Sequence, residues 1–216
     1  MQSLRGLLAG LAIGVPSAIV VVAVAILLFL NPVWVGFEQG PAQSAAFTGF
    51  SGDQLTSVTN AILSDLVLGP PSFDVALDGV PVLKERERSH MRDVRSVFVS
   101  LYLVAMVSAA VLAAAFVVTR RTGRAALWRR LSRAGVAIAV VTVVGGAVGL
   151  LAFDAAFELF HEIFFPAGTY LFDTRTDRLV QLFPDQFWSD TTIGVGIVIV
   201  VLALGLARLG RRRAAG

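Results

Sequence analysis

The chain contains no cysteine and only two histidines among its 216 residues. The absence of cysteine excludes a disulfide framework, a thiolate nucleophile, a cysteine-ligated metal and S-palmitoylation. Charge is also scarce: 15% of the residues are charged, whereas about a quarter are charged in an average soluble protein. With 56% hydrophobic residues and a mean hydropathy of +0.77, this composition indicates an integral membrane protein.

Four stretches carry no charged residue and are about as long as a helix that crosses a bilayer, roughly 20 residues. Because a spanning segment must satisfy its own backbone hydrogen bonds, we predict four transmembrane helices. The first is expected to be retained, since its apolar run is longer than that of a cleaved signal peptide. The predicted spans are residues 7–30, 97–119, 134–153 and 191–209. The last is free of charge only to residue 207, and it extends past Arg208 because the long arginine side chain can reach the membrane surface by snorkelling.

The two signs of charge are segregated along the chain. Six arginines and no acidic residue occupy residues 120–133, and four more arginines follow the charge-free part of the last span, which ends at residue 207. All 15 acidic residues lie elsewhere, eight in residues 31–96 and seven in residues 154–190. The positive-inside rule then predicts that both termini, the 120–133 loop and the 210–216 tail are cytoplasmic. The net charge of +3 therefore reports topology, and no nucleic-acid partner is expected.

The two acidic loops are predicted to form a small extracytoplasmic cap. Ser51 or Asp53 is placed to cap a helix that ends near Leu68. Residues 73–83 alternate in polarity around Asp78-Gly79, which predicts a β-hairpin. The expected fold class is therefore a membrane all-α protein: a four-helix transmembrane bundle with a small mixed α/β extracytoplasmic cap.

Two of the spans are predicted to extend into this cap as helices. One helix is expected to begin near Lys84 and to run into the second span, and the third span is expected to continue past Asp154 until Pro166. A short helix is predicted from Thr176-Asp177 to Phe183. Small residues at four-residue spacing predict close helix packing within the bundle or between two copies, at Gly6, Gly10, Gly14, Gly145 and Gly149.

The two histidines are predicted to lie in one layer. His90 precedes the second span by seven residues and His161 follows the third by eight. At the rise of a helix, each would stand about 10–12 Å beyond its charge-free stretch. Since the second and third spans are joined by a short loop, they should be antiparallel neighbours. The pair is therefore a candidate for general acid–base catalysis, because imidazole titrates near neutral pH.

Two other kinds of chemistry could use these histidines. His161-Glu162 opens like the zinc motif H-E-x-x-H, but Phe165 occupies the second ligand position. A metal site formed by both histidines and a carboxylate is one alternative. A serine nucleophile is another, although Ser89 and Ser96 lie in no G-x-S-x-G elbow. General acid–base catalysis requires nothing that the chain lacks, so neither metal nor cofactor is expected.

Three carboxylates are expected to orient the histidines. Asp93 and Glu158 are each three residues from a histidine, on the same helical face, and Glu162 follows His161 directly. The alternative is that they form solvated ion pairs, since arginines flank Asp93.

Two segments of the sequence carry a family resemblance. They are SHMRDVRSVF (89–98), preceded by DGVPVLKERE, and FHEIFFPAGTYLFDTRTDRLVQLFPDQFW (160–188). The chain resembles the lipoprotein intramolecular transacylase family of bacterial membrane proteins. The resemblance implies a multi-pass protein of the bacterial cell membrane, with membrane lipid and a diacylglyceryl-modified lipoprotein as partners. It also implies transfer of the sn-2 acyl chain from the diacylglyceryl-cysteine to the α-amino group of that cysteine, leaving a lyso-form lipoprotein.

The resemblance places the two important histidines of the family on His90 and His161. His161 is then expected to be the base and His90 its partner, or the reverse, with no acyl-enzyme because acceptor and donor are already tethered. Aromatic residues would line the acyl chains: Phe157, Phe160, Phe164, Tyr170 and Trp188. The alternatives are a non-enzymatic membrane protein that binds a lipid or a protein, and a metal-dependent membrane hydrolase.

Overall fold

The computed structural model describes residues 2–120 and 123–215. Arg121 and Thr122 of the predicted 120–133 loop, and Gly216 of the predicted tail, lie outside the described residues. Within the described ranges the chain forms nine helices and one two-stranded hairpin. In chain order these are α1 Gln2–Leu27, α2 Pro32–Glu38, α3 Ser44–Thr48, α4 Gly52–Val67, β1 Ala76–Leu77, β2 Val80–Pro81, α5 Glu85–Val118, α6 Ala125–Leu151, α7 Phe153–Phe164, α8 Arg178–Leu182 and α9 Asp185–Ala215.

Four of these helices, α1, α5, α6 and α9, are long and apolar enough to cross a membrane. This confirms that four long apolar helices, each a candidate membrane span, lie at the predicted places in the chain. Both α5 and α9 begin well before their charge-free stretches, at Glu85 and Asp185. The described chain divides into two compact units. The first comprises residues 2–26, 100–120, 123–148 and 194–215, and the second comprises residues 27–99 and 149–193.

The first unit contains the bundle. Ile13 of α1 packs with Leu127 and Leu131 of α6 in a cluster that also includes side chains of α5 and α9. A second cluster joins Ala25 of α1 to residues of α6 and α9. These small and branched apolar side chains face one another, while many other apolar residues of the same helices are exposed, as expected of a surface that faces lipid.

Close approach of α6 and α9 depends on two glycines. A Cβ at Gly135 would collide with the carbonyl oxygen of Ala203, and a Cβ at Gly210 would lie 2.7 Å from the carbonyl oxygen of Trp128. Within the described chain the close contacts therefore do not lie at the glycines whose spacing predicted packing in the bundle, and packing between two copies stays a prediction. Open space surrounds the Cβ position of the predicted glycines: Gly6, Gly10, Gly14, Gly145 and Gly149.

The second unit is mixed in secondary structure. Ser51 caps α4 and forms a reciprocal capping box with Gln54, so the predicted helix start is confirmed. The hairpin also lies where it was predicted, although its strands are only two residues long, pairing Ala76 with Pro81. Positive φ angles at Asp78 and Gly79 give the tight turn that this dipeptide favours. The core beneath is formed by α4, the hairpin, α5 and α8.

One expectation about the second unit is wrong. The third spanning helix does not continue past Asp154, because α6 ends at Leu151 and a separate helix, α7, begins at Phe153. Between them Ala152 has φ −134° and ψ 48°, outside the helical region. The predicted span of residues 134–153 therefore runs two residues past the end of α6, and α7 is a helix of its own.

Candidate functional site

The second unit brings the two histidines of the chain together. His90 lies near the start of α5 and His161 near the end of α7. Their ring centroids are 6.0 Å apart and the ring planes are inclined by 23°, which is a stacked arrangement. The proximity expected from two separate sequence segments is thus present, even though α7 is not a continuation of α6.

The ring of His161 has a defined orientation. Its Nδ1 atom lies 2.7 Å from the carbonyl oxygen of Phe157. A carbonyl oxygen can only accept a hydrogen bond, so Nδ1 must carry a hydrogen and donate it. In the neutral ring the lone pair is then on Nε2. His161 is only partly buried, so Nε2 is the atom suited to exchange a proton with a substrate.

His90 has a different environment. The residue is 6% exposed, and its ring packs against Phe165 and Phe172 at centroid distances of 4.8 and 5.4 Å. It precedes the charge-free stretch that begins at Val97 and so lies outside the predicted span. Burial, and then the nearby imidazole of His161, lower the pKa of His90 to about 4. His90 is therefore neutral near pH 7.

The Nδ1 atom of His90 has no hydrogen-bond partner in the part of the chain that the structure describes. A buried polar atom without a partner costs free energy. Such an atom is often explained by a ligand or a catalytic role. The two histidines therefore differ: one is oriented by the backbone, and the other is held neutral with a ring nitrogen unused.

A cavity of about 260 Å³ adjoins His161. Aromatic side chains and carboxylates both contribute to its wall, an arrangement that suits a ligand with hydrocarbon and a cationic group. The lining residues are Phe153, Asp154, Phe157, Glu158, His161, Tyr170, Leu171 and Asp185. Four of these, Phe153, Asp154, Leu171 and Asp185, were not among the site residues predicted from the sequence.

The predicted acyl-lining aromatics form one connected cluster around His161. The centroid distance to the His161 ring is 4.4 Å for Phe157, 5.0 Å for Tyr170 and 5.4 Å for Phe160. The ring of Phe164 lies 5.0 Å from that of Phe160 in a tilted arrangement, and the ring of Trp188 lies 6.2 Å from that of Phe157. Their role in binding acyl chains stays a prediction.

The three carboxylates expected to orient the histidines are dispersed. Glu158 lines the cavity, Glu162 is exposed and Asp93 is partly buried. Nδ1 of His161 is bonded to a backbone carbonyl, so an orienting role for any of the three stays a prediction. Among the described residues no group of three or more histidine, aspartate or glutamate side chains is placed to hold a metal ion.

A buried aspartate supports the segment beside the histidines. Asp177 accepts hydrogen bonds from Lys84 and Arg86, at 2.8 and 2.9 Å, and from the amide of Asp173. Although burial alone raises it, the pKa of Asp177 is lowered by the hydrogen bond from Lys84 and the other donors. Arg86 also donates to the carbonyl of Leu171 and lies 4.9 Å from the Phe172 ring.

This network was missed in the sequence because its partners are far apart along the chain. Asp177 and Arg86 are 91 residues apart. Glu87, which is fully buried, likewise accepts hydrogen bonds from the amides of Lys84 and Leu179. Both carboxylates attach the start of α5 to the segment that follows α7, and so fix the position of His90 relative to Tyr170 and Phe172.

The family model for the lipoprotein intramolecular transacylase Lit matches residues 10–188. An uncharacterized protein of Aquifex aeolicus is 27% identical over 140 residues, which are 62% of this chain. The chain spans 61% of the length of that relative.

Solved structures share the fold. The in meso structure of the membrane integral lipoprotein intramolecular transacylase Lit from Bacillus cereus has a TM-score of 0.80 and 16% identity, covering 96% of this chain and 95% of that one. A structure of the same protein with a histidine replaced by alanine also has a TM-score of 0.80, at 15% identity, covering 99% and 96%. Four apolar helices and this shared fold support a multi-pass membrane protein. The family match over most of its length shows that the chain belongs to the lipoprotein intramolecular transacylase family.

Proposed function

We propose that this protein is a membrane acyltransferase that acts on lipoproteins. It moves the sn-2 acyl chain of a diacylglyceryl-cysteine to the α-amino group of the same cysteine and leaves a lyso-form lipoprotein. The observation that carries the proposal is the stacked pair of His90 and His161, together with an aromatic and acidic cavity that His161 lines, in a chain that belongs to the transacylase family.

The reaction needs no acyl-enzyme. The attacking nitrogen is connected to the ester through Cα, Cβ, the sulfur and two glycerol carbons, so nucleophile and carbonyl belong to one molecule. Intramolecular attack supplies the proximity that an enzyme otherwise provides by binding two substrates. The protein must then hold a reactive conformer, accept and return a proton, and stabilise the charge that develops on the carbonyl oxygen.

His161 is suited to the proton transfer. The neutral amine attacks the carbonyl carbon, and Nε2 of His161 removes one proton from the attacking nitrogen as the C–N bond forms. The C–O bond to glycerol then breaks, and the same proton passes from Nε2 to the leaving oxygen. The hydrogen bond from Nδ1 to the Phe157 carbonyl keeps Nε2 as the reacting atom through both steps.

His90 is suited to the oxyanion. A neutral imidazole donates one N–H hydrogen bond, and a donor in a buried site stabilises developing negative charge strongly. Since the pKa of His90 is held near 4, it does not compete with His161 for the proton near pH 7. The cavity aromatics would contact the acyl chains, and Asp154, Glu158 and Asp185 would attract the ammonium form of the acceptor.

The proposed placement follows the distribution of charge. The arginine-rich loop and both termini are cytoplasmic, and the second unit, which holds the histidines, is the extracytoplasmic cap. The protein then resides in the bacterial cell membrane, with membrane lipid and the diacylglyceryl-modified lipoprotein as its partners.

Mass spectrometry of a lipoprotein N-terminal peptide tests the proposal. The protein is expressed in a host that lacks N-acylation, beside His90→Ala, His161→Ala and the control Arg175→Gln, which changes an exposed residue of the same unit. We expect an acyl chain to move from glycerol to the α-amine at constant total mass with wild type and control, and not with either histidine variant.

Two outcomes would contradict it. A gain in peptide mass would mean that the acyl chain came from a separate lipid. Unchanged lipoprotein with well-folded wild-type protein would favour a non-enzymatic binding protein.

A further inference from the structure

The first unit, which contains the bundle and is called the bundle unit here, carries arginines but no acidic side chain. Residues 1–26, 100–148 and 194–216 contain eleven arginines and no aspartate or glutamate. In the second unit, by contrast, arginines pair with carboxylates, as Arg88 does with Asp74 and Arg92 with Glu85. The charge of the bundle unit is therefore uncompensated by its own residues.

Packing of α6 against α9 concentrates these arginines. Ser132 of α6 donates a 2.9 Å hydrogen bond to the carbonyl of Ala207 of α9. A Cβ at Gly210 would lie 2.8 Å from the amide nitrogen of Ser132, so the two backbones are almost in contact there. Six of the seven arginines on the two helices lie within about five residues along the chain of Ser132 or Ala207: Arg129, Arg130, Arg133, Arg208, Arg211 and Arg212.

Within the described part of the chain, none of these six guanidiniums forms a hydrogen bond or an ion pair with the protein. Five of the six are exposed, and Arg130 is partly buried. Like charges held together repel one another unless anions are bound nearby. A guanidinium binds phosphate with two parallel N–H···O bonds, so phosphate is the anion that this cluster fits best.

The position of the cluster identifies the source of the phosphate. Arg133 immediately precedes the charge-free stretch of α6, and Arg208 immediately follows that of α9. On both helices the first arginine therefore lies directly beside the end of the apolar segment. In a membrane this is the level of the lipid headgroups. We propose that the α6–α9 crossing binds the phosphate headgroup of an anionic phospholipid.

Lipid retention by the full-length protein in detergent tests this site. The protein is incubated with equal amounts of phosphatidylglycerol and phosphatidylcholine, and the bound lipids are counted by native mass spectrometry. We expect phosphatidylglycerol to exceed phosphatidylcholine by on the order of tenfold, and the excess to fall in high salt because the contact is electrostatic.

A matched pair of variants locates the binding. Arg133→Gln/Arg208→Gln should reduce the excess several-fold, whereas Arg92→Gln/Arg175→Gln, which removes the same charge from the second unit, should leave it unchanged. An equal uptake of both lipids by wild type would overturn the proposal. So would an excess that survives in Arg133→Gln/Arg208→Gln, or displacement of phosphatidylglycerol by millimolar inorganic phosphate.

Discussion

The Nδ1 atom of His161 donates a hydrogen bond to the carbonyl oxygen of Phe157, the residue one helical turn earlier in the chain. The hydrogen on Nδ1 has a spectroscopic consequence, because the two tautomers of neutral imidazole have distinct nitrogen shifts. Since the chain has only two histidines, ¹⁵N-histidine labelling gives two rings to assign. We expect the neutral His161 ring to be in the Nδ1–H tautomer, with His90→Phe providing the assignment.

An Nε2–H tautomer for neutral His161 would contradict this geometry. It would also remove the reason for assigning the proton transfer to Nε2, and the roles of the two histidines would then have to be exchanged.

Burial of His90 predicts a dependence of stability on pH. The pKa of His90 is lowered from 6.5 to about 4, so between these values the unfolded chain binds a proton that the folded chain does not. The free energy of unfolding should therefore rise as pH increases from 4 to 6.5 and level off above, a contribution of at most about 3 kcal/mol.

Thermal unfolding in detergent between pH 4 and 8 measures this contribution. The comparison is His90→Phe, which keeps a ring between Phe165 and Phe172 but cannot titrate. We expect the stability lost on acidification to be smaller in the variant than in wild type. Identical pH dependence in both proteins would mean that His90 is not held neutral by the fold.

Tyr170 should contribute its ring rather than its hydroxyl. The ring lies 5.0 Å from that of His161 and lines the cavity. Tyr170→Phe should retain transacylation near the wild-type rate, whereas Tyr170→Ala should lower it on the order of tenfold, because the imidazole and the acyl chain lose a wall that positions them. The peptide assay reports the rates. A loss in Tyr170→Phe as large as that in Tyr170→Ala would instead assign the hydroxyl a chemical role.

Asp177 should matter for stability far more than its neighbouring surface pair. Asp177→Asn removes the negative charge and replaces one of the two oxygens that accept from Lys84 and Arg86 with an NH2 donor, in a side chain that is 3% exposed. We expect a loss of about 1–3 kcal/mol. Arg175→Gln breaks an exposed pair with Asp173 and should cost less than about 1 kcal/mol. Thermal unfolding of both variants tests the order, and equal effects would contradict a central role for Asp177.

The crossing of α6 and α9 predicts different effects for two glycines of one helix. Gly135→Ala places a methyl group against Ala203 and Ala207 and should destabilise the protein by about 1–3 kcal/mol. Gly145→Ala meets open space and should be neutral or slightly stabilising, because alanine favours a helix. Thermal unfolding distinguishes them. A tolerated Gly135→Ala would mean that the helices are not in close contact there.

Local signals in the sequence predicted much of the fold. Charge-free stretches marked the four long helices, Ser51 marked the start of α4, and Asp78-Gly79 marked the hairpin. The break at Ala152 could not be predicted, since Leu151-Ala152-Phe153 contains neither proline nor glycine. Spacing of small residues failed to locate the α6–α9 contact because it does not reveal which helix face meets a partner.

The candidate site was predicted only in part for a related reason. The two histidines stood out because the chain has no others, and the aromatics recur at helical spacing. Phe165 and Phe172, which pack on His90, and the Asp177 network depend on contacts between distant segments. Such contacts leave no local pattern, so they are found only in the folded chain.

The carboxylate of Glu87 has a consequence for how the protein is made. It accepts a hydrogen bond from the amide of Leu179, 92 residues later in the chain. Until that residue has been synthesised, the Glu87 carboxylate accepts only from the nearby amide of Lys84, and the start of α5 is not yet attached to the segment that follows α7. The surroundings of His90 are therefore completed only after most of the chain has been made.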